Sequence, residues 1–176
     1  MSLPGIADLR ALIQDVPGFP KPGIVFKDIT PLLADPAGLA LAVECMVQPY
    51  RGAGINVVVG AESRGFIFGT AAANRLGVGF VPVRKPGKLP RETRSQTYEL
   101  EYGADSLEIH VDGVRPGQRV LVVDDLLATG GTLSACCALV RALGAEVAGV
   151  TVLIELVGLG GRERLSNVPI HTVLSY

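Results

Sequence analysis

Two short stretches of the chain, Ile55–Val59 and Arg119–Val123, are almost wholly apolar and rich in valine. They do not alternate with polar residues, as half-exposed strands would, so both faces of each must be covered. Each is soon followed by a glycine-containing loop and then by a segment of helical character. Phe66–Leu76 stops at Gly77, and Thr132–Leu143 stops at Gly144, as helices do when a left-handed glycine ends them. Val78–Val83, Glu146–Val157 and His171–Ser175 read as further strands, and Leu3–Gln14 and Ala37–Val47 as further helices. Two strand–helix–strand units in succession predict an α/β fold, a parallel twisted sheet flanked by helices with right-handed crossovers. One segment departs from this. Thr97–Tyr102 and Ser106–Val111 alternate with period two around Gly103–Asp105, which predicts a β-hairpin beside the sheet. Ahead of it, Arg84–Arg94 holds five of the chain's 16 basic residues and no apolar period, which predicts a mobile basic loop.

Composition narrows the picture. A chain of 176 residues is one ordinary domain. Hydrophobic residues make up 48% and mean hydropathy is +0.40, so the chain folds rather than staying disordered. The charged fraction is only 19%, below the usual value of about 25%, which suggests surface hidden in an oligomer. The net charge of −1 leaves no global positive field for nucleic acid or a membrane surface. Cys45, Cys136 and Cys137 form neither a disulfide framework nor a metal knuckle, and they suit a reducing, cytoplasmic setting. The first residues lack the basic and apolar regions of a signal peptide. No apolar run reaches the ~18 residues of a membrane span.

The strongest chemical signal is Val120–Thr132, a buried strand ending in Asp124 and Asp125 and followed by Ala128-Thr-Gly-Gly-Thr132 at the start of a helix. Ligands of open α/β sheets sit beyond the carboxyl ends of the strands. A helix N-terminus offers free N–H groups to a phosphate, and Gly130 and Gly131 let the backbone come close. Carboxylates repel phosphate, however. Their presence asks for a ligand that also carries hydroxyls or Mg²⁺, such as a sugar phosphate.

Gly60-Ala-Glu-Ser-Arg-Gly65 also follows a strand, but Phe66-Ile67 replaces the Lys-Ser/Thr of a nucleotide-triphosphate loop. Arg64 is placed to grip a diphosphate bidentately, or else to pair with Glu62. Arg84, Lys85 and Lys88 should lie on the same sheet edge. His110 and His171, the only histidines, read as strand residues, which leaves zinc chemistry and a Ser-His triad almost no candidates.

Together these segments resemble a known family. Val120–Thr132 is similar to the phosphoribosyl-diphosphate (PRPP) signature of type I phosphoribosyltransferases. Phe19–Pro31, Glu62–Phe66, Arg84–Pro90 and Tyr98–Gly103 resemble the adenine branch of that family. The resemblance runs from about Pro17 to Glu163 and implies a small hood over residues 1–35, with a flexible loop and hairpin over 84–111, all within one domain.

It also implies roles. Asp124 and Asp125 would hold the ribose hydroxyls, directly or through Mg²⁺ bound with PRPP, with no direct protein metal site. Ala128, Thr129, Gly130, Gly131 and Thr132 would hold the 5-phosphate. Glu62, Ser63 and Arg64, with Arg84, Lys85 and Lys88, would form the diphosphate site. Val25 and Lys27 would read the adenine edge through their backbone, with Phe26 stacking on the ring. Lys27 stands where arginine is common in the family. Glu101 would close over the site and handle a purine proton, with Tyr102 beside it. The implied reaction joins adenine to PRPP, giving AMP and diphosphate, in a homodimer. On the residues alone, Phe26 as ordinary core remains an alternative. So do a phosphoribosyltransferase for an oxopurine and a PRPP-sensing regulator. An oxopurine invites a lysine donor after the PRPP motif, and no lysine follows Lys88.

Overall fold

The computed structural model describes residues 5–99 and 104–176. The chain begins with α1 (Ile6–Ala11) and an antiparallel pair, β1 (Gln14–Pro17) and β2 (Val25–Asp28), then α2 (Thr30–Ala34) and α3 (Pro36–Val47). Next come β3 (Val57–Ala61), α4 (Arg64–Leu76) and β4 (Gly79–Val83). A second antiparallel pair, β5 (Thr93–Glu99) and β6 (Ala104–His110), precedes β7 (Arg119–Leu127) and α5 (Gly131–Ala142). The last elements are β8 (Glu146–Glu155), α6 (Gly161–Arg164) and β9 (Ile170–Ser175).

The central sheet has the order β4-β3-β7-β8-β9, and every pair in it is parallel. The valine-rich runs account for its position. Val57, Val59, Val120 and Val122 pack with Leu133, Cys136 and Leu139 of α5 and with Leu107 and Ile109 of β6. Val58, Leu121 and Val123 point the other way, into Met46 of α3 and Phe68 of α4. Alternate side chains therefore enter two separate cores, which is why neither strand carries a polar face. Cys136 and Cys137 belong to the first core as apolar helix residues, and burial pushes the Cys137 thiol up to about 11.

The α/β architecture agrees with expectation, and several boundaries do not. The first helix ends at Ala11, and Gln14 opens β1 instead, because β1 gains backbone partners in β2. That pair, α2 and α6 have no counterpart in the elements read from periodicity. Thr93 and Arg94, placed in the basic loop by composition, pair with His110 and Ile109 in the hairpin. Among the described residues, no helix is long and apolar enough to cross a membrane.

Candidate active site

β3 and β7 are adjacent parallel strands, so the connections leaving their carboxyl ends open on the same side. Between them lies a cavity of about 370 Å³, walled by Glu62, Ser63 and Arg64 on one side and by residues 124–133 on the other. The structure thus brings two separately predicted motifs, one around Arg64 and the other ending at Thr132, around one space. The Glu62–Ser63 peptide on this wall is cis.

From sequence, the strand ends at the acid pair. In the structure β7 continues past it, because Leu126 and Leu127 still pair with Ile154 and Glu155 of β8. Asp124 and Asp125 are therefore fixed by the sheet rather than by a loop. They are 9% and 4% exposed. The Asp125 backbone N–H donates to Asp124 Oδ1 at 2.9 Å. Asp125 Oδ2 is buried with no hydrogen-bond partner, although Arg64 Nε lies 3.1 Å away as its counter-charge. Burial raises the Asp124 carboxyl well above its ordinary value, and the neighbouring Asp125 adds to this. Burial also raises Asp125, against the pull of Arg64. Buried carboxylates with unmet acceptor capacity are sites for a ligand rich in hydroxyl donors or for a cation.

The next turn has the geometry of an anion cradle. Gly130 adopts a left-handed conformation (φ 79°), and no side chain caps α5, which leaves first-turn N–H groups for a ligand. Thr132 stands within that turn, and its Oγ1 lies 3.5 Å from the Tyr98 hydroxyl. The strand leading to Glu101 therefore reaches the cradle. Glu101 and Tyr102 lie outside the described residues.

Arg64 links the acid pair to a second feature. Its guanidinium lies 5.1 Å from the centre of the Phe26 ring, near enough for a cation–π contact. Phe26 also packs edge-to-face on Phe19, with centroids 5.1 Å apart. With Val16, Phe19 and Asp28 it borders a second cavity of about 240 Å³. Phe26 is only partly buried and lies outside both core clusters, unlike an ordinary core residue. Val25 is 47% exposed. The Lys27 ammonium pairs with Asp15 at 2.6 Å and sits 4.0 Å over the Tyr176 ring. That side chain is committed elsewhere, which leaves the Lys27 backbone as the part that can face a ligand.

The basic run is arranged differently from expectation. Glu62 pairs with Arg84 at 2.7 Å, not with Arg64, and accepts the Lys85 N–H at 2.9 Å. Burial pushes the Glu62 carboxyl up, but Lys85 and Arg84 outweigh it and leave it below its ordinary value. Lys85 also pairs with Asp105 at 3.2 Å, and Arg84 donates to the Lys88 carbonyl at 3.1 Å. Arg84, Lys85 and Lys88 do not line the main cavity. They stand behind its Glu62 wall, because the half-buried carboxylate there attracts them. Phe19, Tyr98 and Asp28 were not singled out from sequence. The aromatic pair Phe19 and Phe26 within one turn-rich segment was the available signal for the first.

Both histidines are far from this chemistry. His110 Nδ1 lies 3.3 Å from the Glu92 carbonyl and His171 Nε2 lies 2.9 Å from the Cys45 carbonyl. Among the described residues, no cluster of three or more His, Cys, Asp or Glu could hold a metal by itself.

Residues 29–168 match the model of the phosphoribosyl transferase domain. An adenine phosphoribosyltransferase from Rhodopirellula baltica is 59% identical over 96% of this chain and 82% of its own length. One from Methylococcus capsulatus is 58% identical over 96% of this chain and 98% of its own. The crystal structure of adenine phosphoribosyltransferase from Thermoanaerobacter pseudethanolicus superposes with a TM-score of 0.95 at 49% identity, covering 98% of this chain and 100% of that one. The Saccharomyces cerevisiae enzyme, complexed with adenine and an imino-altritol bisphosphate, superposes with a TM-score of 0.92 at 40% identity, covering 96% and 98%.

Proposed function

The chain belongs to the adenine phosphoribosyltransferase family, and from that premise we infer how its own residues transfer the 5-phosphoribosyl group of PRPP to N9 of adenine, releasing diphosphate and forming AMP. The observation that carries the assignment of roles is the shared cavity. Buried carboxylates and an uncapped helix N-terminus face one space, a combination suited to a phosphorylated sugar and poorly suited to a bare anion.

The backbone N–H groups of Ala128–Thr132, together with the Thr129 and Thr132 hydroxyls, bind the 5-phosphate. Asp124 and Asp125 accept the ribose hydroxyls, and their negative charge favours the cationic ribose ring as the bond to diphosphate lengthens. Arg64 offsets the charge growing on the leaving group. Arg84, Lys85 and Lys88 approach that group from behind Glu62. Phe26 offers the purine a flat apolar face, with Val25 and Lys27 backbone groups at its edge. Glu101 takes the N9 proton or stabilises it in transit. The hairpin that carries it excludes water from the reacting carbon.

The donor set fits Mg²⁺ carried in with PRPP. Asp125 has an unpartnered buried oxygen, and magnesium is commonly held by one or two carboxylates, substrate phosphates and water. Bound there, the ion supplies further neutralisation of the diphosphate. One domain with a hood over residues 1–35, a homodimer and a cytoplasmic setting complete the proposal, supported by the low charged fraction and three free cysteines.

The test offers adenine, hypoxanthine, guanine and xanthine separately with PRPP and Mg²⁺. Nucleotide is expected from adenine alone. Phe26→Ala should raise the adenine KM by about 10-fold, a loss comparable to one aromatic stacking contact, and leave the PRPP KM nearly unchanged. An unchanged adenine KM removes Phe26 from the base site, and turnover of an oxopurine refutes the base assignment.

A further inference from the structure

We propose that Gly161 and Arg162, which lie outside the cavity, are positioning residues that hold the 128–132 loop in its phosphate-binding shape. The inference rests on the assignment of that loop to the 5-phosphate.

The first observation is a contact between two backbones. A Cβ added to Gly161 would lie 2.2 Å from the Ala128 carbonyl oxygen and 2.7 Å from Leu127 Cδ1. A Cβ added to Gly130 would lie 2.7 Å from the Gly161 carbonyl oxygen. Each segment is therefore glycine where it meets the other, and no side chain fits between them. The loop rests directly on the Gly160–Gly161 turn. Gly161 itself does not line the cavity, so it acts on a ligand only through the loop.

The second observation is what holds that turn. Arg162 grips Glu155 through two hydrogen bonds, Nε to Oε1 at 2.9 Å and Nη2 to Oε2 at 2.6 Å. The same guanidinium donates to Thr172 Oγ1 at 3.1 Å and to the Ile170 carbonyl at 3.3 Å. Glu155 is the last residue of β8, is 6% exposed, and pairs in register with Leu127, the last residue of β7. A closed ring results. Leu127 delivers the loop, Glu155 sits beside Leu127, Arg162 binds Glu155, and Gly161 presses on Ala128.

A bidentate pair on a buried carboxylate is stiff as well as strong. Loss of the arginine would leave that carboxylate without its counter-charge, held at the strand end only by the Thr172 hydroxyl at 2.9 Å, and release the turn. An anion cradle made of backbone N–H groups depends on their aim, and misplacement by about 1 Å can cost on the order of 100-fold.

The experiment measures KM for PRPP and adenine, and calorimetric affinity for ribose 5-phosphate and for diphosphate. It uses wild type, Arg162→Ala, Arg162→Lys, Gly161→Ala and Thr132→Val, with circular dichroism confirming the fold of each. Arg162→Ala is expected to weaken PRPP and ribose 5-phosphate by about 10-fold, with adenine KM and diphosphate affinity nearly unchanged. Arg162→Lys should recover part of the loss, and Gly161→Ala should lose more than Arg162→Ala. Thr132→Val tests the loop directly. If it weakens ribose 5-phosphate while Arg162→Ala does not, the positioning role is wrong. If Arg162→Ala weakens adenine and ribose 5-phosphate alike, the residue is merely structural and the proposal fails. If Thr132→Val leaves ribose 5-phosphate unaffected, the loop assignment falls and takes the proposal with it.

Discussion

Asp125→Asn is expected to lower turnover by about 100- to 1000-fold, the scale on which removal of one preorganised electrostatic partner acts. The carboxylate is 4% exposed and one of its oxygens is unpartnered, so little water stands ready to replace it. In the proposed mechanism its charge acts where positive charge develops on the ribose ring. Asparagine keeps the shape and loses the charge, which makes the substitution a measure of electrostatics rather than packing. The check is kcat at saturating adenine and PRPP. Unchanged turnover would remove Asp125 from the reaction.

The same variant should be more stable than wild type when ligand-free at neutral pH. Both carboxyls have folded values raised above the ordinary 3.8, first by burial. Between the ordinary and the raised value, the folded protein holds protons that the unfolded chain has released. Stability therefore falls as pH rises through that window. Removing one member of the pair relieves this cost. The Tm of Asp125→Asn should exceed that of wild type at pH 7, and the gap should close as pH falls towards 4. A variant less stable than wild type at neutral pH would contradict the account. With the activity result, it would separate loss of chemistry from loss of fold.

Gly65→Ala is expected to damage both. A Cβ at Gly65 would lie 2.7 Å from Asp124 Oδ1 and 3.2 Å from the Val123 carbonyl oxygen. Neither neighbour can yield easily, since Val123 belongs to the central sheet and Asp124 is buried against it. The start of α4 must move away, and Arg64 moves with it. Overpacking of this kind costs about 2 kcal/mol, a fall in Tm of roughly 4–8 °C at this chain length. Turnover should drop by at least about 10-fold, because the arginine and the acid pair shift together. Thermal denaturation and kcat measured on the same preparation decide it. Wild-type values in both would mean that α4 does not sit against Asp124 as described.

Much of this molecule was legible in the sequence for a simple reason. A strand covered on both faces has to be apolar at successive positions, and Val57–Val59 and Val120–Val123 are. The doubly covered parallel sheet follows from those runs and the glycine-ended helices after them. The strand, acid pair and uncapped helix start proposed as the anion cradle were legible too, since they form one continuous stretch. The first antiparallel pair was not. β1 and β2 are four residues each and mostly exposed or half-buried, so no hydrophobic period marks them, and only their pairing with one another makes them strands.

By itself, then, the sequence determined the fold class, the acid pair and its cradle, and the family resemblance that tied them to PRPP and adenine. Those features are local, written in contiguous residues whose propensities and spacing carry the information. Tertiary structure alone decided which charge meets which. It gave Arg64 to Asp125 rather than to Glu62, turned Arg84 and Lys85 onto Glu62, tied Lys27 to Asp15, and set Gly161 beneath the cradle. Each is a contact between segments distant along the chain or between side chains with several possible partners. Such choices depend on distance and burial, quantities that exist only once the chain has folded.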